Sequence, residues 1–210
     1  MTNSEAERRA TAIIEEVFEL IGEEYLQRKI DEPIKTATDS FEFNRDVPVT
    51  YQTFTQITRD FIRHVYEKAL WGWQRMSARE ASAESVAILE EGYQSLHGRG
   101  FYIAYLDASK PDPDSLKNVL SQMATHITAI ARERYIRWIL VSRIELADWS
   151  TRRLIAEIIL NRWEPFLPEK LRTYPHALVA NHLSELINLV LSIDGTVGKM
   201  LGGNVDFFRF

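Results

Sequence analysis

The chain contains no cysteine. Disulfides, thiol nucleophiles and thiolate-held zinc are therefore excluded. Glycine and proline are scarce, at 9 and 7 in 210 residues, which rules out collagen-like or low-complexity character. Long apolar runs are missing as well. The longest stretch without a charged residue, 118–131, falls short of the ~20 apolar residues that span a bilayer. The opening MTNSEAERRA carries no apolar core of a secretory signal. Positive charge is not in excess. The formal net charge of -5 favours solubility and disfavours nonspecific nucleic-acid binding. These absences predict a soluble cytoplasmic protein without membrane contact.

What is present is ordinary for a folded globule: 45% hydrophobic and 26% charged residues. A chain of this length buries a sizeable core without metal or disulfide staples. Neither an internal repeat nor a flexible linker interrupts it, so one domain, 1–210, is the simplest organisation, with an apolar C-terminal tail at 203–210.

Helical periodicity dominates. Ser4 and Glu7 make a capping box. Ala10, Ile13, Ile14, Val17, Phe18, Ile21 and Tyr25 then recur at threes and fours, predicting a helix to about Ile30. Residues 31–49, with Pro33 and Pro48, read as a loop, with a short strand at Phe41–Phe43. Phe54, Ile57, Phe61, Ile62, Val65, Tyr66 and Ala69 mark a second helix, 51–74. Ser77 and Glu80 cap a third, which carries Val86, Leu89, Tyr93 and Leu96. Asp112-Pro113 is an N-cap and first-turn pair, followed by Leu116, Leu120, Met123, Ile127 and Ile130 on one face. Asp148 or Ser150 caps a helix with Leu154, Ile155, Ile158, Ile159 and Trp163 inward, ended by Pro165 and Pro168. After Pro175, a last helix turns Val179, Leu183, Leu186, Ile187 and Val190 inward.

Two segments fit either helix or strand. FYIAYLDAS, 101–109, continues a helical seam, yet its aromatic and β-branched residues suit a buried strand. In 134–144, six of the seven residues from Tyr135 to Val141 are apolar, so periodicity does not decide. Two strands would make 101–144 a βαβ unit of an α/β fold. Two helices make the protein a mainly α multi-helix bundle. The bundle is preferred, because Arg137 sits badly in a doubly buried strand and the neighbouring elements are helices. A small sheet pairing 41–43 with 205–210 is compatible with it.

SIDGTVGKMLGGN, 192–204, is the nearest approach to a phosphate-binding loop. That loop reads G-x-x-x-x-G-K-[ST] after a strand. Here Gly195 and Gly198 are too close, Met200 replaces the metal-binding hydroxyl, and the preceding run is helical. Asp194-Gly195 reads instead as a helix end.

Other constellations are equally incomplete. Asp60, His64 and Glu67 share one helix face, as do Glu16, Glu19 and Glu23, but paired Glu-x-x-His metal units are missing. His176 and His182 are six apart and diverge on a helix. HGRG, 97–100, reads as a turn or a close helix contact rather than an anion nest. No G-x-S-x-G elbow exists. The expectation is no catalytic residue, no cofactor and no metal.

From Arg132 to Arg172 lie eight Arg and one Lys against six Asp or Glu, so this stretch carries +3 and the rest of the chain -8. Tyr135, Trp138, Trp149 and Trp163 are interleaved. Arg with aromatics suits a protein interface and, less well at this net charge, single-stranded nucleic acid. The tail GGNVDFFRF holds three phenylalanines, each worth about 1.5–3 kcal/mol when buried. They should pack, within this chain or on a second copy. The candidate interaction residues are therefore Arg134, Arg137, Arg152, Arg153, Phe207, Phe208 and Phe210.

The leading functional expectation is a noncatalytic helical protein with a regulatory or scaffold role, acting through protein contacts, its own copy included. A second is a small-molecule sensor with an apolar pocket among Phe54, Phe61, Trp73, Tyr93 and Trp138. A third applies if 101–144 is βαβ. The turn with Asp107, Ser109 and Asp112 would then stand at a strand's carboxyl end, where α/β enzymes and receiver-like domains place ligands.

Overall fold

A computed structural model describes residues 3–70, 99–106, 112–173 and 175–200. Among the described residues there is no strand, and every regular element is helical. The mainly α expectation holds. The βαβ alternative is overturned, because Arg99–Leu106 and Pro113–Leu140 are both helices. Contacts divide the chain into two units, Met1–Glu23 with Ile136–Phe210, and Glu24–Tyr135.

In the first unit, α1 (Asn3–Leu20) packs on Trp149–Trp163. Ala6, Ala10, Ile14 and Val17 are buried at helical spacing, and the alanines allow close approach of the two helix axes. Phe18 stacks on Trp163 with ring centroids 5.1 Å apart. Beyond Ile21-Gly22 the helical path is interrupted, then resumes as α2 (Glu23–Leu26).

The second unit departs most from the periodicity. The expected loop at 31–49 is helical in its first part: a π turn, Gln27–Asp31, leads into α3 (Glu32–Asp39). Pro33 explains both features. Proline inside a helix lacks its N–H and clashes with the carbonyl four residues back. A widened turn just before it relieves the clash, and the start of a new helical segment leaves no hydrogen bond unmade. Ile34 and Ala37 then anchor α3 in the core. Phe41–Phe43 is not a strand. Instead, Phe41 sets its ring edge-on to Phe61 at 5.2 Å.

Thr50 caps α4 (Tyr51–Val65) through a reciprocal pair of hydrogen bonds with Thr53. A second π turn, Tyr66–Leu70, carries the helix on, and the stripe Phe54, Phe61, Ile62, Val65, Tyr66 and Ala69 is buried as expected. The expected end at residue 74, and the helix from 77, lie outside the described residues. α3 packs on α4 and on the Tyr66–Leu70 turn. In α5 (Arg99–Leu106), Tyr102 and Tyr105 meet Phe54 at 5.3 and 5.9 Å.

Asp112 accepts from the Ser115 N–H at 2.7 Å and opens α6 (Pro113–Leu140), as the Asp-Pro pair foretold. Leu116, Leu120, Met123, Ile127 and Ala131 form its buried seam within the second unit. A third π turn, Val141–Glu145, follows in the first unit and ends where the Leu146 N–H reaches the Val141 carbonyl, five residues back.

Asp148 caps α7 (Trp149–Trp163), which buries Ile155, Ala156, Ile159, Leu160 and Trp163. A 3-10 turn, Glu164–Phe166, takes up Pro165. Two short helices, α8 (Glu169–Arg172) and α9 (His176–Val179), lead to α10 (Leu183–Met200). Val179, Leu183, Leu186, Ile187 and Val190 are all buried, and α9 and α10 pack on α7. The expected helix end at Asp194-Gly195 is corrected: α10 runs through both glycines to Met200. One internal glycine costs a helix only about 1 kcal/mol. The tail at 203–210, and any pairing of 205–210, lie outside the described residues.

Candidate functional site

The structure disperses the arginine-rich stretch. Arg132 is buried in the second unit, where its guanidinium grips the Asp31 carboxylate with two donors, Nε to Oδ1 at 2.6 Å and Nη2 to Oδ2. Arg134, half-buried, and Arg137, exposed, stand one turn apart on α6. Arg143 pairs with Glu16 at 3.0 Å. Arg152 and Arg153 diverge, as adjacent helical residues must. Arg152 turns inward and donates to the Ala180 carbonyl at 2.9 Å, while Arg153 pairs along the helix with Glu157 at 3.1 Å. Arg172 closes the α8 turn by donating to the Leu167 and Pro165 carbonyls. Much of the basic excess thus serves the chain's own backbone and carboxylates. Phe207, Phe208 and Phe210 lie outside the described residues, as do Asp107 and Ser109.

One corner of the first unit is apolar and open. Leu146 is 77% exposed and Trp149 48%, with Val141 also in solvent. The corner is held firmly. Asp148 accepts from the Thr151 N–H at 3.0 Å and from its hydroxyl at 2.6 Å. These bonds hold the Asp148 carboxyl below the usual carboxylate range, with a smaller contribution from Arg9 at 3.9 Å. Arg153 follows Trp149 by one helical turn, so the two share a face. Trp149 lies seven residues before buried Ala156, and phase alone would turn it inward. Its place as the first residue of α7 leaves half of it in water.

The metal and nucleophile readings find no support in geometry. Among the described residues no three acidic or histidine side chains gather as a metal site. Asp60 accepts from the Gln56 amide at 3.0 Å, and His182 faces Glu185 at 3.7 Å. Ser40 Oγ lies 3.1 Å from His64 Nε2, the spacing of a nucleophile and its base. However, the same hydroxyl donates to the Ala37 carbonyl at 3.0 Å. With its proton on that carbonyl, the hydroxyl has none to give the imidazole. Ser40 also caps the carboxyl end of α3, where partial negative charge opposes an oxyanion.

A cleft of about 410 Å³ opens along α3. Arg28 and Lys68 border it, Glu32, Thr36 and Ser40 line it, half-buried Pro33 supplies apolar surface, and buried Ala37 lies at its floor. It is open and bordered by charged side chains, unlike the enclosed apolar pocket expected of a sensor. Of that pocket's residues, Phe54 and Phe61 are ordinary core, and Trp73 and Tyr93 lie outside the described residues. No sequence signal marked the cleft, because its borders come from two helices far apart in the chain.

Comparison with protein-family models, curated proteins and solved structures returns no match. No helix among the described residues is long and apolar enough to cross a membrane.

Proposed function

We propose that this protein acts without catalysis, as a regulatory or scaffold component that works through protein contacts and associates with its own copy. The observation that carries the reading is the capped corner at 146–153. It exposes Leu146 and Trp149, and sets Arg153 one turn beyond Trp149. Interfaces are enriched in Trp and Arg and depleted of acidic side chains at their centres. A rigid aromatic costs little entropy to bury, and the Asp148 cap fixes the turn that presents it. The cysteine-free composition suits a reducing compartment such as the cytoplasm.

The test is the mass in solution over a concentration series, by light scattering and cross-linking, for the wild type and for L146S/W149S. A wild-type mass above the monomer that falls in the variant supports the reading. A monomer at every concentration in both proteins overturns it.

A further inference from the structure

The two cations of the α3 cleft share an unusual origin. Arg28 belongs to the π turn Gln27–Asp31, and Lys68 to the π turn Tyr66–Leu70. Each widened turn adds a residue to the helical path and so re-aims the side chains on it; such turns recur at functional sites. The first turn runs directly into α3, and α3 packs on the second. Among the described residues, neither Arg28 nor Lys68 makes an ion pair. The Arg28 guanidinium lies over the Tyr25 ring, 5.5 Å from its centroid, which steadies the fork without neutralising it. Thr36 and Ser40 line the cleft one turn apart on α3, the Ser40 hydroxyl already donating to the Ala37 carbonyl.

We infer that this cleft binds a small phosphate-bearing molecule. A guanidinium fork matches phosphate oxygens, and an ammonium adds a mobile point charge. The cleft volume lies within the range of small-ligand sites. Opposing groups are also present. Glu32 lines the cleft, and the carboxyl end of α3 adds about half a negative charge. Two full positive charges exceed these by a small margin, so the site is weak for bare phosphate. The apolar surface of Pro33 leaves room for the organic part of a phosphate monoester.

The experiment titrates inorganic phosphate into the full chain at constant ionic strength and follows backbone amide shifts by NMR. The site requires saturable shifts around 28, 36–40 and 68. R28Q and K68Q should each weaken binding by about 2–5-fold, and E32Q should tighten it by a similar factor, as expected for partly screened charges. All three positions are exposed, so the fold tolerates the variants; unchanged spectra away from the cleft verify this. Linear shifts without saturation, or shifts that persist in R28Q/K68Q, mean an adventitious ion only and overturn the inference.

Discussion

Asp31 and Arg132, 101 positions apart in the chain, meet as a two-pronged ion pair at the core of the second unit. The Arg132 side chain is almost wholly enclosed, and Asp31 keeps a partly wet edge. Hydrogen bonds to charged groups are worth about 1.5–3 kcal/mol, and a buried guanidinium without its partner also keeps its desolvation cost. D31N should therefore lower unfolding free energy in urea by about 1.5–3 kcal/mol. R132M should cost less than D31N, because it removes the buried charge and leaves a carboxylate with access to water. A double-mutant cycle with no coupling between the two would refute the pairing.

The Asp148 cap makes stability depend on pH. A carboxyl whose pKa is lower folded than unfolded stabilises the fold above its unfolded value, and this contribution disappears as pH falls through the folded value. Asp148 is of that kind, held down first by the Thr151 hydroxyl and then by the Thr151 N–H. D148A should melt below the wild type at pH 7. The gap should begin to shrink near pH ~4, the unfolded value, and its charge-dependent part should vanish at lower pH. A gap that widens on acidification would contradict the cap.

Phe61 is fully enclosed and receives the edge of the Phe41 ring. F61A should cost about 3–5 kcal/mol in urea unfolding, the range for a large aromatic removed from a core. F41A should cost clearly less, since Phe41 is only half-buried. Equal losses would mean that the 41–43 segment is part of the core rather than a cover over it.

Arg152 separates architecture from interaction. Its Nη2 serves the Ala180 carbonyl, but its Nε is buried without a partner. R152M forfeits one hydrogen bond and relieves one orphaned donor, so stability should change by less than about 1 kcal/mol. The mass in solution should stay that of the wild type, unlike the mass of L146S/W149S. A change in mass would return Arg152 to the interaction surface.

Much of the helical architecture was legible in the residues themselves. The stripe from Val179 to Val190 is buried as its spacing implies, and so are those from Phe54 to Ala69 and from Leu154 to Trp163 except for Ile57, Leu154 and Ile158, which are half-buried. The caps at Asp112 and Asp148 sit where short polar side chains precede apolar runs. The failures were local. Pro33 read as a helix stop because a regular helix excludes it, yet a π turn made room. Gly195 read as an end because glycine commonly closes helices, yet an internal glycine costs a helix only about 1 kcal/mol and α10 continues through it.

Spacing along one helix determines which face is apolar, because the helical repeat is a property of the local backbone. It carries no information on what that face meets. The pairing of Asp31 with Arg132 and the meeting of Arg28 and Lys68 at one cleft each depend on residues distant in sequence. Only tertiary packing decided them, because burial and charge pairing are properties of space rather than of chain order.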